Sequence, residues 1–206
     1  RRGYWDNKTR EYSLIMADSH TLLLRQGAGV AGVIPRLESF ALASGAEQTK
    51  GIMVVGIDPA AEHKLTALAG RITKGRYLSP DEPEVLVAER LAEFLRVTVD
   101  DTLVLLSQGY HGISAAGKYS ICGLAHFASP QLNNQLVYIP LPVCQLFFSA
   151  ENRLTSLAID LEDPQKTAEV TAALRQRLPE ADYEVMPWDD MQVELVQQIE
   201  SDNAGG

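Results

Sequence analysis

Hydrophobic and polar positions follow their most regular pattern between residues 84 and 106, in the run EVLVAERLAEFLRVTVDDTLVLL. The pattern predicts a strand over 84–88, an amphipathic helix over 89–96 and a strand over 102–107, with a turn at Asp100-Asp101. The core-facing side of the helix is predicted to carry Leu91, Phe94 and Leu95. None of these side chains suits catalysis, so this part of the chain is scaffold. That favours a binding or force-transmitting module over an enzyme.

The N-terminal third of the chain predicts α/β structure. It contains a predicted helix over 19–27, an extended segment over 30–44 and a buried strand over 51–57. A further helix is predicted after Pro59, with Leu65 and Leu68 on its apolar face and Gly70 at its end. Residues 74–83 are rich in turn-forming residues and mark a candidate subdomain boundary, where the pattern of the chain changes.

The remainder predicts a β-rich piece followed by more α/β structure. Strands are expected over 119–125 and 137–139, with a helix over 143–148. The last part predicts a strand over 154–161, a helix from Asp163 to Pro179, a strand over 183–186 and a helix over 188–199. The order is therefore α/β material at both ends with a β-rich piece between them, which is an α+β fold class.

Composition narrows the classes of partner. The net charge is −9 and the isoelectric point is about 4.9, and Lys and Arg do not cluster, which excludes nucleic acid and disfavours an anionic membrane surface. No apolar run reaches the ~18 residues of a spanning helix. Since the first residue is Arg1, we expect the chain to be cut from a longer polypeptide.

The residues that could carry chemistry are few. Gly27 to Gly32 satisfies G-x-G-x-x-G, but it follows a predicted helix, and we interpret it as a glycine-rich helix exit. No cofactor or metal site and no catalytic residue is predicted. The loop that begins at Gln108 carries Tyr110 and His111, which we expect to contact a partner, although a plain solvated loop is the alternative. Cys122 and Cys144 are interpreted as two small buried hydrophobic residues, with a disulfide between them as the alternative.

Several short motifs, taken together in order and spacing, resemble a known family. They are Val55-Gly56-Ile57-Asp58-Pro59, Lys74-Gly75-Arg76-Tyr77-Leu78, Val85-Leu86-Val87-Ala88-Glu89-Arg90-Leu91-Ala92, Val99-Asp100-Asp101-Thr102-Leu103 and Tyr138-Ile139-Pro140-Leu141-Pro142, followed by Trp188. Over nearly all of residues 18–200 the chain resembles the large extracytoplasmic domain of MacB/FtsX-type ABC transporter permeases, the group of MacB and LolC/LolE. The family often has Gly where Asp100 and Ala88 stand here.

The resemblance implies both a fold and a function. Residues 1–73 and 150–206 would form a porter-like α/β subdomain, and residues 74–149 an inserted, mainly β, sabre-like subdomain. The domain would lie on the periplasmic side of the inner membrane, between two membrane helices of a permease. It would be non-enzymatic and would work with a cytoplasmic ABC ATPase subunit or domain and with a second permease copy. That compartment also favours a Cys122–Cys144 bridge more than composition does.

The resemblance leaves the substrate open. A periplasmic adaptor, a lipoprotein or a peptide would be the substrate or a further partner. Two alternatives remain: a stand-alone periplasmic ligand-binding or adaptor protein, and a small α/β enzyme whose site is assembled from distant residues.

Overall fold

The computed structural model describes residues 14–15, 29–108, 114–178 and 183–187. The strands in these ranges are β1 (Leu14–Ile15), β2 (Val30–Ser44), β3 (Thr49–Ile57), β4 (Ile72–Gly75), β5 (Glu84–Ala88), β6 (Thr102–Gln108), β7 (Ser114–Ala125), β8 (Leu136–Pro140), β9 (Arg153–Leu154) and β10 (Ser156–Leu161). The α-helices are α1 (Pro59–Thr66), α2 (Glu89–Leu95), α3 (Pro130–Gln135), α4 (Leu141–Phe147) and α5 (Thr167–Arg177). A mixed α/β architecture, as the pattern of the sequence predicts, is therefore confirmed.

One mixed sheet holds most of the described strands. Its order is β10-β2-β3-β8-β5-β7-β4, and β6 pairs with both β2 and β7. Strands β2 and β3 form an antiparallel pair over nine residues, whereas β3 pairs with β8, and β5 with β7, in parallel. Because β6 joins β2 to β7, the path β2-β3-β8-β5-β7-β6 closes into a ring. Side chains on the inner face of the ring are shielded from water, and the outer face is convex.

The main core lies where apolar runs are buried on both faces. All five residues of β5 are buried, as are the last six residues of β3. Continuous apolar runs of this kind are typical of strands covered on both sides. The predicted strands over 30–44, 51–57, 84–88, 102–107 and 119–125 and the helix over 89–96 are confirmed to within a few residues. The strand over 137–139, the helix over 143–148 and the helix that follows Asp163 are confirmed as well. The strand predicted over 154–161 is divided at Thr155 into β9 and β10, which belong to different sheets.

One predicted helix face is wrong, and a second is confirmed at Leu91 and Leu95 but wrong at Phe94. Helix α1 ends at Thr66 because Ala67 adopts a left-handed conformation, and Leu68 belongs to a following 3-10 turn. The residues that α1 buries are Pro59 and Glu62 rather than Leu65. In α2, Leu91, Ala92 and Leu95 face the core, while Phe94 is 43% exposed. Both helices are about two turns long, and so short a helix is positioned by its tertiary contacts more than by its own periodicity.

The prediction was also incomplete elsewhere. Strand β4 and helix α3 were not predicted, although Ser129 caps α3 through its side chain and Pro130 occupies its first turn. Residues 183–187 form no strand, contrary to the prediction over 183–186. The predicted helices over 19–27 and 188–199 lie outside the described residues.

The large sheet crosses the boundary between the two predicted subdomains. These are residues 1–73 with 150–206, and residues 74–149. Strand β3 belongs to the first group, and it pairs along five residues with β8 of the second. Hydrogen bonding is thus continuous across the boundary in the sequence. The division into two subdomains remains a prediction.

The turn before β6 provides a first stability test. Asp100 has a φ of 70°, a left-handed conformation in which glycine carries no side-chain penalty. We expect Asp100→Gly to raise the free energy of unfolding by about 0.5 kcal/mol, because relief of backbone strain exceeds the entropy gained by the unfolded chain. The control is Asp101→Gly, because Asp101 Oδ2 accepts a hydrogen bond from the Thr98 amide at 2.7 Å. That variant is expected to lose about 1 kcal/mol in urea unfolding, and equal effects would contradict this account.

Candidate functional site

The β6–β7 hairpin carries the loop that the sequence singles out for partner contact. Its strands pair from Thr102 with Ser120 up to Gln108 with Ser114. The loop over 109–113 therefore starts from a fixed antiparallel pair. Gln108 closes that pair through its backbone, whereas Tyr110 and His111 lie outside the described residues. Their role as contact residues remains a prediction.

Two exposed leucines lie on the outer side of the ring near this hairpin. Leu42 of β2 and Leu106 of β6 are direct cross-strand partners and are 50% and 42% exposed. The sequence analysis missed them. The available signal was the run Leu103-Val104-Leu105-Leu106, which stays apolar where a strand with one wet face would alternate.

A buried ion pair ties α1 to the sheet. Arg36 of β2 donates two hydrogen bonds to the Glu62 carboxylate, at 2.9 and 2.8 Å, and both side chains are almost completely buried. The nearby Glu38 is also buried, and its backbone amide donates to Thr155 Oγ1 at 2.7 Å. The arrangement pairs charges and fixes the position of α1 over the sheet. The sequence signal that was missed is a pair of charged residues, Arg36 and Glu38, on one face of an otherwise apolar strand.

Burial and charge act in opposite directions on these groups. Burial by itself lowers the pKa of Arg36, but the Glu62 and Glu38 carboxylates more than offset it, so that its pKa lies above the usual value. Burial raises the pKa of Glu38, and the Arg36 guanidinium opposes that rise without cancelling it. One guanidinium therefore compensates part of the negative charge of two buried carboxylates. Such an arrangement stabilises the position of α1 on the sheet.

A second carboxylate organises the turn-rich segment before β5. Glu84 is buried and accepts hydrogen bonds from Arg76 Nη1 at 2.7 Å and from the Ser79 amide at 2.8 Å. Burial by itself raises the pKa of Glu84, but the hydrogen bonds from Arg76 and Ser79 more than offset that rise. The pKa of Glu84 therefore lies below its usual value. Glu84 thus ties Arg76 and Ser79 of the turn-rich segment to the start of β5.

The two cysteines do not form the disulfide considered from the sequence. Both are present as buried thiols. Cys122 of β7 donates to the Val85 carbonyl at 3.3 Å, and Cys144 of α4 donates to the Leu37 carbonyl at 3.6 Å. They lie on different elements, and each thiol donates to a carbonyl of a different strand. Burial raises the pKa of Cys122 to about 12, so its nucleophilic thiolate is scarce.

The glycine-rich motif does not open a helix. Gly29 has a φ of 82° and is followed at once by β2, so the end of the motif enters a strand. A pyrophosphate site requires the N-terminus of a helix at this place. A shallow cavity of about 360 Å³ lies beside it, lined by Ala31, Gly32, Val33, Ile34, Ala61, Lys64 and Asp160. Its two charged groups have opposite sign, and they do not make a catalytic constellation.

The described part of the chain contains no group of three His, Cys, Asp or Glu side chains placed to hold a metal ion. Among the helices described, none combines the length and the apolar character needed to cross a membrane.

Comparison with known proteins gives a consistent picture. The family model for the MacB-like periplasmic core domain matches residues 3–177. LolC of Neisseria meningitidis, a lipoprotein-releasing system transmembrane protein, is 22% identical in an alignment 187 residues long that covers 87% of this chain and 43% of LolC. LolC of Xylella fastidiosa is 29% identical over 166 residues, 77% of this chain and 40% of that protein. The chain thus spans less than half the length of these curated relatives.

Two solved structures share the fold. The extracellular domain of the noncanonic ABC-type transporter YknZ from Gram-positive bacteria has a TM-score of 0.59 and 15% identity, covering 85% of this chain and 90% of that domain. The periplasmic region of MacB from Actinobacillus actinomycetemcomitans has a TM-score of 0.57 and 15% identity, covering 88% of this chain and 82% of that region.

Proposed function

Because this chain belongs to the family of MacB-like periplasmic core domains, we propose that it is the extracytoplasmic domain of an ABC transporter permease in the inner membrane. The observation that carries the proposal is the family match over residues 3–177, and the likeness in fold to two extracytoplasmic transporter domains supports it. The domain itself is not an enzyme. It transmits motion to a substrate.

The flanking sequence of the gene tests the proposal most directly. We expect one transmembrane helix before Arg1 and three after Gly206. The LolC relatives are more than twice the length that this chain matches, which leaves room for such segments. A full-length gene without any membrane-spanning segment would leave a stand-alone periplasmic ligand-binding or adaptor protein as the better proposal.

The proposed mechanism is mechanical coupling. ATP is bound and hydrolysed by a separate cytoplasmic subunit or domain, and the membrane helices carry the resulting motion outward to two domains of this kind. A substrate is then expelled or released on the periplasmic side. Coupling requires that the substrate or partner contacts the two states differently. The continuous sheet suits this role, because its hydrogen bonding resists deformation between the two predicted subdomains.

The loop of the β6–β7 hairpin is the proposed contact with the substrate or a partner protein. We expect the double variant Tyr110→Ala and His111→Ala to reduce transport by the intact permease about tenfold or more, since an aromatic side chain at the centre of a contact contributes about 2 kcal/mol. Basal ATPase activity and the melting temperature of the domain are expected to stay unchanged, because the hairpin ladder below the loop is untouched.

The matched control for that variant is a pair of substitutions on another exposed surface. His63→Ala with Lys64→Ala alters two exposed residues of α1, away from the hairpin. Transport that falls equally in both double variants, or that survives loss of Tyr110 and His111, would argue against the loop as a contact.

The proposal also predicts that the purified chain has no hydrolytic activity. The 206-residue chain should hydrolyse neither ATP nor simple ester and peptide substrates. Measurable ATPase activity of the purified chain would contradict the proposal. It would favour the alternative of a small α/β enzyme whose site is assembled from distant residues.

A further inference from the structure

Strand β2 has one edge that β3 covers only in part. On that edge the pairing with β3 ends at Arg36, whose partner is Ile57, the last residue of β3. The chain then leaves the sheet to form α1. Over residues 30–34 this edge has no neighbouring strand among the described residues, although β10 pairs with the opposite edge. We name residues 30–34 on this side the open edge.

The backbone of Val33 points to the open edge. The N–H and C=O groups of successive strand residues point alternately to the two edges of a strand. The Arg36 carbonyl accepts a hydrogen bond from the Thr155 amide, which directly precedes β10, so Arg36 points to the β10 side. The Leu37 carbonyl oxygen lies 3.4 Å from the place that a Cβ on Gly56 would occupy, so Leu37 points to the β3 side. Val33 lies four residues before Leu37 and therefore points the same way.

Val33 has both backbone groups available on that side. Among the described residues, none donates a hydrogen bond to its C=O or accepts one from its N–H. Val33 also lines the cavity of about 360 Å³ that lies between β2 and α1. A strand edge of this kind presents a donor and an acceptor at the spacing that another extended backbone matches.

Small side chains and balanced charge keep the cavity accessible to a backbone. Gly32 and Ala61 line it without filling it, and its charged groups, Lys64 and Asp160, have opposite signs. Lys64 is exposed, so its charge adds little to binding. The cavity therefore selects neither an anion nor a cation, and a neutral peptide backbone is the occupant that suits it.

A β-bulge limits the length of the segment that can pair here. The register between β2 and β10 shifts at Ala31, which is left without a partner in β10. A bulge of this type ends regular pairing. At the other end, Pro35 stands beside the end of β3. The open edge thus offers residues 32–34 to an added strand, with Val33 at the centre.

We therefore propose that the open edge binds a short extended polypeptide segment, which adds to β2 as a further strand and exchanges two hydrogen bonds with Val33. A lipid or a small anion does not offer a matched donor and acceptor at strand spacing. The inference deepens the proposed function by naming a polypeptide as what the domain contacts. It rests on that function only for this role, because the binding itself is a property of the domain.

Amide hydrogen exchange tests the open edge on the 206-residue chain without any ligand. The Val33 amide is expected to exchange at least about ten times faster than the Ile34 amide, because Ile34 points to β10, where Ala158 is its partner. Burial does not account for such a difference, since both side chains are buried. A Val33 amide protected as well as that of Ile34 would overturn the proposal, because the edge would then be occupied within the chain.

The peptide acetyl-Gly-Thr-Val-Thr-Gly-amide is the probe for binding. At about 5 mM it is expected to shift the Val33 amide resonance and to slow the exchange of that amide about fivefold, as for a dissociation constant of about 1 mM. The control peptide carries N-methyl groups on its inner residues, so it cannot donate to the Val33 carbonyl. It is expected to bind at least about ten times more weakly. Equal binding of the two peptides would overturn the proposal.

Ala61→Trp tests the position of the site. Ala61 lines the cavity, and the larger side chain should fill it and reduce binding of the probe at least about tenfold. The matched control is Ala60→Trp, because Ala60 is the exposed neighbour on the same helix, and this variant should bind the probe as the unaltered chain does. Binding that survives Ala61→Trp with an unchanged circular dichroism spectrum would overturn the proposal. If that variant does not fold, the N-methylated peptide decides. None of these results depends on the flanking membrane segments that test the proposed function.

Discussion

Arg36→Met is expected to lower the free energy of unfolding by about 3–5 kcal/mol at neutral pH, the typical cost of breaking a buried ion pair from one side. The guanidinium of Arg36 holds the Glu62 carboxylate through two hydrogen bonds and acts on the buried Glu38 as well. Without it, two carboxylates remain buried with no cation between them. Urea unfolding followed by circular dichroism measures the loss.

The pH dependence of this loss has a defined sign. Burial raises the pKa of Glu38, and Arg36 acts against that rise, so removing Arg36 raises the pKa further. A group with a raised pKa in the folded state contributes stability at low pH and loses it as the pH rises through that pKa. The deficit of Arg36→Met should therefore shrink as the pH falls from 7 toward 5. A deficit that stays constant over that range would mean that packing, and not charge, causes it.

Two controls isolate the buried pair. Glu47→Gln removes one partner of the exposed Arg96–Glu47 pair and should change stability by less than about 0.5 kcal/mol. The double variant Arg36→Met with Glu62→Leu replaces both charges and should recover a large part of the loss. A double variant as unstable as Arg36→Met alone would contradict the assignment.

Gly56→Ala is expected to lower the free energy of unfolding by about 2–3 kcal/mol, the upper part of the range found for overpacking of a tight core. A Cβ on Gly56 would stand 2.5 Å from Cβ and 2.7 Å from Sγ of Cys144 in α4. The nearer of the two atoms is attached to the backbone of the helix, so relief requires α4 to move away from β3. Thermal unfolding should show a clear decrease in the melting temperature.

The same strand offers the matched control for this substitution. Gly51→Ala adds the same methyl group where no described residue lies within 4 Å, and it should be neutral or stabilising by up to about 1 kcal/mol. Cys144→Ala, combined with Gly56→Ala, removes Sγ but leaves the closer Cβ, so it should restore stability only in part. Full restoration would show that the thiol, and not the approach of the helix, sets the limit.

The pattern of the sequence determined the elements that are strongly apolar or clearly capped. The runs at 51–57 and 84–88 are short, rich in β-branched residues and flanked by turn-forming residues, which is typical of buried strands. Asp163 and Pro164 mark the start of the last described helical segment, and Asp163 does accept a hydrogen bond from the Gln165 amide. The face of α1 and the exposure of Phe94 in α2 could not be obtained in the same way, since two turns of helix give too few positions to fix a periodicity.

The candidate contact surface was only partly accessible from the sequence. Tyr110 and His111 were chosen because they are aromatic or titratable residues in a glycine-containing loop, and that signal is local. The exposed leucines Leu42 and Leu106 are ordinary strand residues when each is taken alone. Their exposure follows from the pairing of β6 with β2, which links parts of the chain more than sixty residues apart.

The sequence by itself therefore determined the class of fold, the scaffold at 84–106 and the likeness to a family, because these depend on local apolar spacing and on short motifs in order. The tertiary structure alone decided that Arg36 and Glu62 form a buried pair, that Cys122 and Cys144 remain apart, and that Leu42 and Leu106 share an exposed face. The physical reason is the same in each case. Charge pairing, thiol geometry and exposure depend on which strands and helices become neighbours in the folded chain.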